Sequence, residues 1–169
     1  MKKTKKFKVK RSEAKQVVET LKPLFNVPGK NLSYILDRNI DKLNSVDKAL
    51  SNKYNKVFSI KGYKEYDEKR LEVCKSYSDK NEKGEIKRNA NGSFVIAPEN
   101  MDKFFENIEL IQKDFPEVKK HLDSFEKYAQ QEVVIDVFTI DESQLPDINY
   151  NQRQLLKFMI NDDFMKVVK

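Results

Sequence analysis

The sequence predicts an α+β fold: mainly a helical hairpin or bundle, with a small antiparallel sheet. Three observations point there. Apolar residues recur at helical spacing over long stretches, one short run near the C-terminal end is crowded with β-branched residues, and only four Gly punctuate 169 residues, too few for a turn-rich sandwich or barrel. The chain is polar, with 38% apolar and 36% charged residues, yet its eleven Phe and seven Tyr supply the bulk that a disordered chain lacks.

In order along the chain, Phe7 and Val9 alternate with lysines, a period of two that suits a short strand if a partner edge exists. Ser12 is placed to cap a helix carrying Ala14, Val17, Val18, Leu21 and Leu24, with Pro23 disturbing its last turn. From Asn31 a longer helix carries Leu32, Leu36, Ile40, Leu43, Val46 and Leu50, extended by Tyr54 and Val57, on one face. Gly62 marks a break, after which Tyr63, Tyr66, Leu71, Cys74 and Tyr77 continue the helical pattern, supported by the Glu65 and Lys69 pair.

Residues 79–84 lack apolar side chains and read as a loop. Asn91-Gly92, between the strand-like runs 85–88 and 93–97, signals a hairpin, because both residues tolerate positive φ. Pro98 can open a helix with Met101, Phe104, Phe105, Ile108 and Ile111 buried. Phe115-Pro116 breaks it, and a further helix carries Val118, Leu122, Phe125 and Tyr128. The run 133–140 is the strongest strand, and a turn through 141–146 leads to a terminal helix with Leu155, Leu156, Phe158, Met159 and Ile160. The bundle is expected over residues 32–77 and 101–128, and the sheet from 93–97, 133–140 and 7–9. No internal repeat is expected.

The net charge of +6 has a location. Residues 1–11 hold Lys2, Lys3, Lys5, Lys6, Lys8, Lys10 and Arg11 and no acid, which leaves 26 basic against 27 acidic residues elsewhere. The expected organisation is therefore a basic arm, 1–11, followed by a single α+β domain, 12–169. The arm can neutralise phosphates with counterion release, dock on an acidic protein surface, or serve only as a solubilising tail. Pairing of Phe7 and Val9 with a strand edge would hold it in place.

A lone Cys cannot form an internal disulfide, and one Cys with one His cannot build a zinc site without carboxylates, so a reducing compartment is expected. Charged residues from Lys8 to Glu13 interrupt any signal-peptide core, and nothing approaches the roughly twenty apolar residues that span a bilayer.

Candidate chemistry is sparse. Gly29-Lys30-Asn31 resembles the end of a phosphate loop, but Leu24 and Asn31 stand where that loop needs a glycine and a hydroxyl; an interhelical turn explains it. His121 follows two lysines with no adjacent nucleophile, and reads as a surface residue. Cys74 shares the stripe of Leu71 and Tyr77 and reads as a small buried hydrophobe. Asp136, Asp141, Glu142, Asp147, Asp162 and Asp163 could gather around magnesium, but a solvated acidic rim is the plainer reading. No catalytic, cofactor or metal residue is assigned, and the chain is expected not to be an enzyme.

The order of parts from the second helix onward resembles a family of small tailed-bacteriophage proteins. The resemblance is carried by Tyr66-Asp67-Glu68-Lys69-Arg70-Leu71-Glu72-Val73-Cys74-Lys75-Ser76-Tyr77, the charged loop 79–85, Asn91-Gly92 with its strand, a helix, and Glu132-Val133-Val134-Ile135-Asp136-Val137 leading into 152–160. It covers about two thirds of the chain and transfers no catalytic motif. It implies a phage setting, in the virion or the host cytoplasm. The expected function is then a non-enzymatic structural or assembly protein that contacts other virion proteins, or further copies of itself, through a helical face and sheet edge. Its anchor would be Lys2, Lys3, Lys5, Lys6, Phe7, Lys8, Lys10 and Arg11. Two alternatives use the same residues or surface differently. A nucleic-acid-binding protein would set these cations on phosphates and stack Phe7 on a base. An inhibitor of host defence would occlude a host protein; the near-neutral body argues against mimicry of DNA.

Overall fold

The computed structural model describes residues 3–161, and these form a mainly helical α+β protein. Its elements are β1 (Thr4–Lys10), α1 (Ala14–Leu21), α2 (Lys30–Phe58), α3 (Tyr63–Tyr77), α4 (Met101–Asp114), α5 (Pro116–Gln130), β2 (Glu132–Phe138), β3 (Ile140–Asp141), α6 (Tyr150–Leu156) and β4 (Ile160–Asn161). The chain divides into two compact units, residues 1–52 with 126–169, and Lys53–Phe125. No described helix is long and apolar enough to cross a membrane.

In the first unit, β1 pairs antiparallel with β2, with Phe7 opposite Ile135 and Val9 opposite Val133. Their inner face meets the stripes of α1 and α2: Val9, Ala14, Val18, Leu21, Leu32, Leu36, Leu43 and Val46 are buried in one core with Ile140, Leu156, Met159 and Ile160. Burying such aliphatic side chains is worth about 1.5–3 kcal/mol each. The expected cap at Ser12 does not form. Residues Arg11–Glu13 make a 3-10 turn before α1, without a side-chain cap bond, and Pro23 lies in a second 3-10 turn, Lys22–Asn26. The terminal helix is shorter than its apolar residues suggest. It ends at Leu156, and Ile160 instead pairs parallel with Ile140. Met159 and Ile160 lie in the core beside Leu156.

In the second unit, Tyr66, Ile111 and Val118 form a small core with Tyr63, Val73, Phe115 and Leu122 against it. Ring contacts run from Tyr54 to Phe58 (4.8 Å), Phe58 to Tyr63 (5.0 Å) and Tyr66 to Phe115 (5.9 Å). α3 packs against α4, joined by residues 78–97.

That connection corrects two expectations. Residues 93–97 do not join the sheet of β2; they pair locally, and they do so as part of an eight-residue repeat. The backbone N–H of Lys87 donates to Asp79 (2.9 Å), that of Val95 to Lys87 (3.1 Å), and that of Asp79 to Val95 (2.7 Å), which closes a ring of three short strands. Shifted by the same eight residues, Asn81, Asn89 and Ala97 donate to Glu85, Ser93 and Tyr77. Gly84, Gly92 and Asn100 donate to Asn81, Asn89 and Ala97, closing three turns. The β-bridges Lys80 to Ile86, Arg88 to Phe94 and Ser78 to Ile96 follow the same shift. The first two corners have the sequence Asn-x-x-Gly, with φ +80° at Gly84 and +82° at Gly92, the left-handed conformation that glycine adopts without a Cβ penalty. At the third corner Asn100 has φ −103°, and the chain turns through Pro98–Asn100 into α4. The ring returns the chain to the end of α3, so that α4 can start beside it.

Candidate interaction surface

The basic segment is a strand, and most of its cations are engaged within the fold. Alternation sends Phe7 and Val9 inward, while Lys6, Lys8 and Lys10 stand on the outer face, opposite Asp136, Val134 and Glu132. Lys6 Nζ lies 2.8 Å from Asp136, Lys3 Nζ 3.3 Å from Asp141, and Lys10 Nζ 4.0 Å from Glu13. Lys5 Nζ donates to the carbonyls of Lys157 (3.4 Å), just past the end of α6, and Ile160 (3.2 Å), in β4. The Arg11 guanidinium stacks 4.2 Å above the Tyr128 ring, its backbone N–H donates to Gln131, and its Nε is buried without a hydrogen-bond partner. Phe7 stacks on Phe158, with centroids 4.3 Å apart, so its ring is used inside the protein. Lys8 is exposed. Lys2 lies outside the described residues.

Sequence reasoning located the cations but missed their partners. Asp136 and Asp141, read as acidic rim, are the counter-ions of the arm; the signal was the period of two in both strands, which predicts Lys6 and Asp136 on matching faces. Asn161 Nδ2 also donates to Asp141 (2.9 Å), and this hydrogen bond, followed by that from Lys3, holds the carboxyl below its ordinary range.

The other candidates fall into place individually. Glu142 pairs with Arg153, Asp147 is exposed, and Asp162 and Asp163 lie outside the described residues. Among the described residues no three His, Cys, Asp or Glu side chains gather into a group able to hold a metal ion. His121 is exposed on α5. Cys74 is buried, with Arg70 Nη1 3.9 Å from its sulfur. Gly29 precedes α2, and a Cβ there would meet Pro146 at 3.4 Å; the segment packs as an interhelical turn. A cleft of about 280 Å³ lies beside it, lined by Asn31, Tyr34, Phe138, Thr139 and the Lys3 and Asp141 pair.

The two strands have unlike edges. The outward N–H and C=O of Phe138 are both taken by Asn39, and the carbonyl of Asp136 accepts from Lys42 Nζ. α2 thus closes the Phe138 end of the free side of β2 with side chains. In the second unit, large apolar side chains face solvent: Phe105 is 55% and Leu110 57% exposed, with Met101 one turn before Phe105, and Tyr54 and Phe58 exposed at the end of α2.

Scans against protein-family models, curated proteins and solved structures found no match to this chain.

Proposed function

We propose that this chain is a non-enzymatic binding protein that acts in assembly, as a structural or assembly component of a tailed bacteriophage, through contacts with other proteins. The observation that carries the reading is the internal engagement of the basic strand. Lys3, Lys5, Lys6, Lys10 and Arg11 lie on groups of their own chain, and Phe7 is stacked on Phe158. A phosphate would have to displace those partners, whereas a protein surface can meet the strand as it stands. Exposed Met101, Phe105 and Leu110 add the apolar anchors typical of protein interfaces. The phage setting, in the particle or the host cytoplasm, rests on the resemblance in the order of parts.

Mass spectrometry of purified particles, paired with a deletion of the coding sequence, tests the proposal. The chain is expected in particles, or its loss is expected to impair their assembly. Absence from particles together with normal assembly would remove the reading.

A further inference from the structure

We propose that the outer edge of β1 receives an extended acidic segment of a partner protein as a third strand. The inference rests on the protein-binding reading above and names the surface and the chemistry it selects. The phase of the β1–β2 ladder fixes which groups are available. Thr139 N–H donates to the Lys3 carbonyl and Arg11 N–H to that of Gln131, both in the register of the pairing. Odd-numbered residues of β1 therefore bond to β2, and the N–H and C=O groups of Thr4, Lys6 and Lys8, with the N–H of Lys10, point the other way. On β2 the same phase turns Phe138, Asp136, Val134 and Glu132 outward; Asn39 closes both groups of Phe138 and Lys42 the carbonyl of Asp136. No described side chain does this for β1. Thr4, Lys6 and Lys8 are exposed, and the side chains that pack on the strand, from α1, α2 and Phe158, meet its inner face.

An open row of backbone groups is a template for strand addition. The side chains along it decide what can be added. Residues of an incoming strand on the outer face lie beside Thr4, Lys6, Lys8 and Lys10. A second copy of β1 would bring lysines against lysines, which cross-strand pairing disfavours. Carboxylates at alternate positions would instead meet Lys8, which faces only Val134 across the ladder, and the free sides of Lys6 and Lys10. The intervening residues would lie beside Phe7 and are therefore apolar. The occupant is an extended stretch of alternating acidic and apolar residues.

The test uses the intact protein and a fluorescein-labelled peptide of alternating Glu and Val, long enough to span β1, with a Lys and Val peptide as control. Anisotropy should show saturable binding of the Glu peptide only. Hydrogen exchange should show new protection at the amides of Lys6, Lys8 and Lys10, with none added at those of Phe7 and Val9. Lys8→Glu, exposed and without a carboxylate partner to lose, should weaken binding about tenfold while leaving the thermal midpoint unchanged. No binding of the Glu peptide, equal binding of both peptides, protection elsewhere, or self-association through this edge would overturn the proposal. Lys8→Glu introduced into the phage separates the two readings: assembly that depends on the chain but ignores this substitution keeps the assembly role and removes the edge.

Discussion

The carboxamide of Asn39 closes both backbone groups of Phe138: Nδ2 donates to the carbonyl oxygen at 2.9 Å, and the Phe138 N–H donates to Oδ1 at 2.8 Å. Asn39 is fully buried on α2, and Nδ2 also approaches the sulfur of Met159. A helix side chain thus takes the position of a neighbouring strand. Asn39→Leu would keep the branched side chain and its number of heavy atoms but leave two backbone groups desolvated and unpaired, at a cost of about 2–4 kcal/mol. Urea denaturation should show the unfolding free energy fall by that amount, with hydrogen exchange at Phe138 accelerated beyond the global loss.

The ring of residues 77–100 depends on backbone conformation, because residues 81–93 are all exposed. Nothing lies within 4 Å of a Cβ built on Gly84 or Gly92, so Gly92→Ala should cost only the backbone strain, about 1 kcal/mol. Asn89 Oδ1 accepts from Ser93 N–H, as Asn81 Oδ1 does from that of Glu85, each at 2.9 Å. Asn89→Ala should accelerate exchange at Ser93 and leave Glu85 unchanged. Equal acceleration at both amides would show that the corners do not open independently.

Asp79 links this ring to pH. The hydrogen bond from Lys87 Nζ (2.7 Å), and then the Lys80 N–H (2.8 Å), holds its carboxyl below the ordinary value of 3.8. With the folded value depressed, the stabilisation is present above the unfolded value and is lost as pH falls through the folded one. NMR titration should place the Asp79 midpoint below those of unpaired aspartates, and Lys87→Met should move it up toward 3.8.

Phe7 separates the two roles considered for the basic strand. Stacked on Phe158 and packed against the main core, it should contribute to stability, so Phe7→Ala is expected to cost about 2–3 kcal/mol. A chemical denaturation curve measures this. An unchanged midpoint would mean that the ring is not held in the fold.

Much of this architecture was legible because it follows period. The stripe of α2 and the breaks at Gly62 and Phe115-Pro116 appear where spacing puts them, whereas the strand expected over residues 133–140 ends at Phe138 and Ile140 pairs with Ile160 in a second sheet. What spacing hid is instructive. In α2 the four-three heptad series runs Leu32, Leu36, Asn39, Leu43, Val46, so the polar member of the seam was the sign of a buried hydrogen-bonding duty. The apolar neighbour Ile40 drew attention from it. The ring was written in Asn81-x-x-Gly84 and Asn89-x-x-Gly92 at a spacing of eight, but its third corner, at Ala97, carries neither residue, and the repeat escapes a search for three like copies. The basic arm was visible as charge. Its counter-ions, Asp136 and Asp141, lie more than a hundred residues away, where only the pairing of β1 with β2 brings them.

Titration of the intact protein against labelled single-stranded and duplex oligonucleotides, followed by fluorescence anisotropy at low and at physiological salt, probes the basic strand most directly. Deleting residues 1–11 would remove β1 and the core residue Val9, so Lys8→Glu is the informative variant. With the cations of β1 engaged by Asp136, Asp141, Tyr128 and the carbonyls after α6, no saturable binding is expected at low micromolar protein at either salt concentration. Tight binding that falls steeply with salt and is lost in Lys8→Glu would contradict the account.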